Sequence, residues 1–307
     1  MAVTGQSLAR RDVHRGRRSL PSIDLLGPRG VAAGRPSMPP ILLRHVADSR
    51  VAEYRTVSDP QLARVRGVFV AEGRAVVQRL IADKRYRVRS LLLNEASLAA
   101  LELDLATLPL DTPVFVTDAA QFYAIAGFNV HRGCLALADR PMAQGIADVI
   151  RHARTLVLLE RCGNADNMGG VFRNAAAFGV DAVLISPGSC DPLYRKTIRT
   201  SMAAALSVPY ALAAPWPEVL ETVRAAGFHV VALTPREPSL TLEAFTAMPP
   251  PARLALLLGA EGPGLSETAI DHADSRLRIP MTAAVDSLNL SVAAGIVLSR
   301  LSGRATL

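Results

Sequence analysis

Residues 155–173 read TLVLLERCGNADNMGGVFR, and the fold is decided on this stretch. TLVLLE is a continuous apolar run too short for a helix, which predicts a buried strand. The chain then passes through short side chains, Arg161 to Gly170, into a helix carrying Arg173. The same unit recurs downstream. VDAVLIS, FHVVALT, RLALLLG and SRLRIP are further strands, and GGVFRNAAAFG, YRKTIRTSMAAAL and WPEVLETVRAAG are the helices between them. Near-continuous apolar strands alternating with helices predict an α/β domain with a parallel sheet covered on both faces. Ligands on such sheets sit beyond the carboxyl ends of the strands, so the loops there hold the candidate site.

Three regions stand out. In the first, short side chains feeding a helix start leave amide N–H groups free to meet an anion. Arg173 reads as lying near the first turn, where a cation opposes the helix dipole, so it is either functional or an ordinary surface ion-pair residue. The second, GAEGPGLS over 259–266, has three glycines in six positions, which allow positive φ and close approach of backbone to a ligand. It has neither G-x-G-x-x-G nor G-K-[ST], so it is neither a dinucleotide fingerprint nor a P-loop. Ser266 reads as a helix N-cap. The third, IPMTAAVDSLNLSVAAGIVLSRL over 279–301, ends a strand and starts a helix for whose N-cap Asp286, Ser287 and Asn289 compete. That helix is too apolar all round to face water, so it belongs in the core or against a partner chain.

Upstream, residues 51–140 read as a second, small α/β domain. GVFVAEGRAVVQRLIAD is a strand followed by a helix with Val76, Val77, Leu80 and Ile81 on one face. VRSLLLN, TPVFVTD and HRGCLALAD are strands, and AAQFYAIAG is a short helix. A polar linker over 141–154 leads into the domain at 155–307. Residues 1–50 are a basic tail of Arg, Ser, Gly and Pro with no sustained period, which predicts disorder. It is a solvated tail or an over-extended start ahead of Met38, a nucleic-acid-binding arm, or a transit peptide.

The chain has 307 residues, 34 Lys+Arg against 27 Asp+Glu, and a sequence pI near 9.9. Residues 1–44 alone hold eight arginines and two acids, +6 of the total +7, so the rest is nearly neutral. An electrostatic grip on a polyanion must then come from local clusters, Lys84, Arg85, Arg87 and Arg89 or Arg195, Lys196 and Arg199. No apolar run reaches the roughly 18 residues of a membrane span. Cys134, Cys162 and Cys190 are widely spaced and without a C-x-x-C pair, giving no disulfide framework and no metal site. They read as buried small hydrophobes in a reducing cytoplasm.

Together the three regions resemble a family. Asn167, Gly169 and Arg173 as N-x-G-x-x-x-R, Gly259, Glu261, Gly262 and Gly264 as G-x-E-G-x-G, and I-P-M at 279–281 with S-L-N-x-S-V-A at 287–293 look like the SpoU/TrmH RNA ribose 2′-O-methyltransferases. The resemblance implies a trefoil-knotted methyltransferase domain over 155–307. It also implies an L30e-like RNA substrate-binding domain over 51–140, and S-adenosylmethionine as cofactor with Gly259, Ile279 and Leu288 holding it. Of the residues it makes catalytic, Arg173 would grip the phosphate beside the target ribose, Asn167 and Glu261 would shape the pocket, and Ser287 and Asn289 would position the ribose or the cofactor. Every motif position matches. One departure is Cys162 and Asp166 in a loop where relatives often carry proline. The implied substrate is ribosomal RNA ahead of transfer RNA, in a cytoplasmic homodimer that buries the last helix. Against these stand a non-catalytic RNA-binding dimer of the same fold and a small-molecule methyltransferase, though the latter's acidic-glycine cofactor loop is absent.

Overall fold

The computed structural model describes residues 39–55, 59–126, 133–282 and 286–301. Five strands form a mixed sheet: β1 (Ile41–Leu42), β2 (Val68–Glu72), β3 (Val88–Leu93), β4 (Val114–Val116) and β5 (Cys134–Asp139), in the order β1-β4-β3-β5-β2. β5 runs antiparallel to both β2 and β3, while β4 runs parallel to β1 and β3. Seven more form the second sheet: β6 (Thr155–Leu159), β7 (Ala182–Ile185), β8 (Tyr210–Leu212), β9 (His229–Leu233), β10 (Leu240–Thr241), β11 (Leu254–Leu258) and β12 (Ser275–Arg278). Their order is β10-β12-β9-β11-β6-β7-β8 and every pairing is parallel.

The apolar runs become strands because both faces of this sheet are covered. Val157, Leu159, Val183, Ile185, Leu256 and Leu258 point into one core, with the helices Ala165–Ala177 and Leu290–Leu301. Leu156, Leu158, Leu184, Ala255 and Leu257 alternate into the other, with the helices Ile146–Ile150, Val219–Ala225 and Glu267–Asp271. Each fully buried leucine contributes about 1.5–3 kcal/mol of transfer free energy. β8 and β10 are additions to the strands expected from sequence.

In the mixed sheet, the helix Arg74–Ala82 buries Val76, Val77, Leu80 and Ile81 as its periodicity requires. The same core takes in Leu193, Ile198, Ala203 and Leu206 from the other half of the chain. The buried Glu72 carboxylate accepts from Arg199 Nη1 at 3.0 Å, Asp191 pairs with Arg140 at 2.7 Å, and the Leu206 carbonyl accepts from Tyr86 Oη at 2.8 Å. YRKTIRTSMAAAL, expected as one helix, is therefore two, Arg195–Thr200 and Ala204–Ser207. They are broken at Met202 and Ala203, whose φ values of 51° and 67° are left-handed. The break turns the Met202 and Leu206 carbonyls toward Arg79, Arg85 and Tyr86.

Two boundaries move. The basic tail was expected to run to residue 50, but Ile41–Leu42 pairs with β4 and Leu43 is buried, so 39–50 belongs to the fold. The rest of the tail, through residue 38, lies outside the described residues. The polar linker contains the helix Ile146–Ile150, which puts Ile150 and Ala153 into the second core. The three cysteines are free and buried, and burial pushes the Cys134 and Cys162 thiols up to about 12. No described helix is long and apolar enough to cross a membrane.

Candidate functional site

The loop after β11 folds back on itself. A Cβ on Gly259 would lie 2.3 Å from both Gly264 C and Leu265 N, so no side chain fits there. Gly262 and Gly264 take φ of 81° and 72°, and Gly264 N–H donates to the Ala260 carbonyl at 3.0 Å. The loop forms one wall of a cavity of about 500 Å³, within the range of small-molecule sites. The residues after β12 form the opposite wall. Gly259, Glu261, Ile279, Ser287, Leu288 and Asn289 all line it, so six of the eight candidate residues come from separate strand ends to one place.

Asn289 ties the three sequence regions together. Its Nδ2 donates to Asn167 Oδ1 at 2.8 Å and to Glu261 Oε1 at 2.9 Å. Its Oδ1 accepts from Ser291 N–H at 3.0 Å, Ser291 Oγ at 2.7 Å and Val292 N–H at 3.3 Å. Asn289 therefore wins the N-cap position of the last helix, while Asp286 and Ser287 remain exposed beside the cavity. Asn167 is buried with 3% of its surface accessible, so the amide it meets is its route to satisfaction.

Arg173 is placed differently from the sequence reading. The helix starts at Ala165, capped by Asn164, whose side chain accepts from the Asp166 and Asn167 amides. Arg173 is the ninth residue of that helix, past the first turn, so the dipole argument does not apply to it. Gly169 and Gly170 lie inside this helix, and neighbouring helices approach so closely that only glycine fits at either position. A Cβ on Gly169 would sit 1.9 Å from Thr200 Oγ1, and one on Gly170 2.5 Å from Ser291 Cβ. Arg173 does not line the cavity; its side chain is exposed and has no ion-pair or hydrogen-bond partner among the described residues.

The expected basic clusters are mostly neutralised. Arg85 pairs with Asp83 at 2.6 Å, Arg89 with Asp139, Lys196 with Asp166 at 2.6 Å and Arg199 with Glu72. Lys84 and Arg87 keep exposed side chains without an ion-pair partner among the described residues. The last helix is also less enclosed than its composition suggests: one face is buried, but Val292 and Ile296 are 50% and 36% exposed.

One residue escaped the sequence reading. Glu160, immediately after β6, is 2% exposed and accepts from Ser266 N–H at 2.8 Å, Ser266 Oγ at 2.7 Å and Trp216 Nε1 at 3.0 Å. An acid ending an otherwise apolar strand was its signal. Ser266 is the N-cap expected of it, its Oγ accepting from Ala269 N–H at 3.2 Å.

The profile of the SpoU rRNA Methylase family matches residues 154–299. An uncharacterized tRNA/rRNA methyltransferase of Mycobacterium tuberculosis is 40% identical over 253 residues, covering 81% of this chain and 87% of that one. Among solved structures, an AdoMet-bound rRNA methyltransferase from Sinorhizobium meliloti superposes with a TM-score of 0.73 at 22% identity, over 87% of this chain and 98% of the other. The SpoU methyltransferase AviRb from Streptomyces viridochromogenes, in complex with AdoMet, gives 0.67 at 22% identity over 83% and 98%. These two likenesses are likenesses of fold.

Proposed function

Because the chain belongs to the SpoU methylase family, we propose that it transfers a methyl group from S-adenosylmethionine to a ribose 2′-hydroxyl of structured RNA, ribosomal RNA ahead of transfer RNA. The observation that carries this reading is the Asn167–Asn289–Glu261 chain of hydrogen bonds at the wall of the cavity.

The residues present fit the cofactor. Ile279 and Leu288 offer apolar surface to a flat base, and the folded-back peptide of 259–264 offers backbone donors and acceptors to its polar edges. When bound, S-adenosylmethionine supplies a methyl group already activated on a positive sulfur. The chain's own task is to hold the ribose hydroxyl in line and lower the cost of removing its proton. Asn289 is fixed by five hydrogen bonds and so is pre-organised to present Glu261 and Asn167 without reorganisation. Ser287, exposed beside them, carries a hydroxyl with no hydrogen-bond partner among the described residues.

Arg173 grips the phosphate next to the target ribose. A guanidinium is a fixed cation with five planar donors, suited to a phosphate, and this one is exposed with no carboxylate neutralising it among the described residues. The mixed sheet acts as an L30e-like platform that presents the RNA, the second sheet carries the family's knot, and two chains pair in the cytoplasm through the exposed Val292 and Ile296 face of the last helix.

Mapping 2′-O-methyl positions in RNA from cells with and without the gene tests the activity and names the RNA. One position lost with the gene and restored by wild type, but not by Arg173→Ala, is the expected result. An unchanged methylation map overturns the reading, and restoration by Arg173→Ala overturns the role given to that residue. A monomer at low concentration in light scattering counts against the pairing.

A further inference from the structure

We propose that Glu160 is a positioning residue that clamps the glycine loop over the cavity, and that Trp216, held by the same carboxylate, reports on the loading of that cavity. The inference rests on the function proposed above and deepens it.

The loop that walls the cavity is held at its start by β11, whose last residue is Leu258. Its far end, Leu265 and Ser266, has no strand to hold it. Glu160 supplies the hold. Both hydrogen bonds to Ser266 come from one carboxylate, and they fix the backbone N–H and the side chain of the same residue. Ser266 Oγ donates to Glu160 and accepts from Ala269 N–H, so the clamp also sets where the helix Glu267–Asp271 begins. Leu265, one residue earlier, is buried and lines the cavity. A shift of Ser266 therefore shifts the wall.

A carboxylate 2% exposed is costly unless its lone pairs are filled. Here three donors occupy three of its roughly four lone-pair positions, drawn from the segments after β8 and β11, while the acid itself follows β6. A residue whose role was solubility or packing alone would need no acid here. Glu160 does not line the cavity, so it acts through Ser266 and not on the reacting groups. Trp216 is the sole tryptophan of the chain, so indole fluorescence reports on this one site.

The test uses the full chain with S-adenosylhomocysteine as the binding probe, followed by calorimetry and by tryptophan fluorescence, and steady-state transfer from S-adenosylmethionine to the RNA found above. Glu160→Ala should weaken binding and raise the KM for S-adenosylmethionine roughly 10-fold or more, the scale of a lost hydrogen bond to a charged group, with kcat changed far less. Glu160→Gln, which keeps two of the three acceptor positions, should recover part of the loss. Wild-type emission should change on titration with the probe. If Glu160→Ala fails to fold, Ser266→Ala removes one donor and should give the same split between KM and kcat in smaller measure. Wild type that binds the probe with no change of emission, and variants that bind as tightly as wild type, overturn the clamp and leave the methyltransferase reading standing. Wild type that does not bind the probe overturns that reading, and this inference with it.

Discussion

Replacing Asn289 in two ways separates its role as a helix cap from its role as the link between Asn167 and Glu261. Asn289→Ala removes both. Loss of the cap costs about 1 kcal/mol. The buried Asn167 carbonyl is left without its donor, at about 1–3 kcal/mol, and the bond to the exposed Glu261 adds under ~1 kcal/mol after screening. The expected destabilisation is about 2–5 kcal/mol, read as a fall in the urea midpoint at constant slope. Asn289→Asp keeps the acceptor that caps the helix, and a negative charge there suits the dipole. It loses the donor, however, and sets a carboxylate where Nδ2 now lies 2.9 Å from Glu261 Oε1. Like charges at that range repel by about 1 kcal/mol in a water-like medium. The repulsion between the two carboxylates is full at neutral pH and falls as acid protonates one of them. The alanine variant has no such recovery. An Asn289→Asp protein as stable as wild type at neutral pH, with no gain relative to wild type on acidification, would refute the link.

Three further outcomes follow from the packing. Gly169→Ala should cost about 1–3 kcal/mol by thermal or urea unfolding, because the new methyl meets Thr200 Oγ1 and the Thr197 carbonyl; adding Thr200→Ala should return part of it. Arg199→Ala should destabilise by about 1–3 kcal/mol by stranding the buried Glu72 carboxylate, the value being reduced because Arg199 is 45% exposed, and Glu72→Gln in the same chain should offset much of the loss. Cys134 and Cys162, with thiols pushed up to about 12, should resist iodoacetamide in the folded protein near neutral pH and react once urea unfolds it, as followed by mass spectrometry; rapid native labelling would contradict their burial.

What the sequence made legible divides by the range of the interactions involved. The central strands were readable because a strand buried on both faces has to be apolar throughout, as Leu156–Leu159 and Leu254–Leu258 are. β8 and β10 were not, because a strand of two or three residues at a sheet edge is defined by the neighbour it pairs with and not by its own pattern. The site motifs were legible as residues but not as geometry. Glycine at 169 and 170 is needed because the helix is approached closely there by Thr200 and Ser291, a requirement that the sequence around them does not display. The sequence reading began the helix no earlier than Gly169, at least four positions late, and so put Arg173 in the wrong turn, although Asn164 with Asp166 two residues later was a readable N-cap signal. The charge clusters failed for a related reason: Lys196 and Arg199 look like an open basic face in the sequence, yet each has its carboxylate, Asp166 or Glu72, 30 or 127 residues away. The same long reach made Glu160 invisible as anything but the end of a strand, since its partners lie 56 and 106 residues downstream. For an RNA enzyme with a nearly neutral body, this makes Arg173, Lys84 and Arg87, without an ion-pair partner among the described residues, informative cations. A fall in the salt dependence of RNA binding on replacing Arg173, with none on replacing Arg199, would show that pairing and not composition decides which charges meet the phosphates.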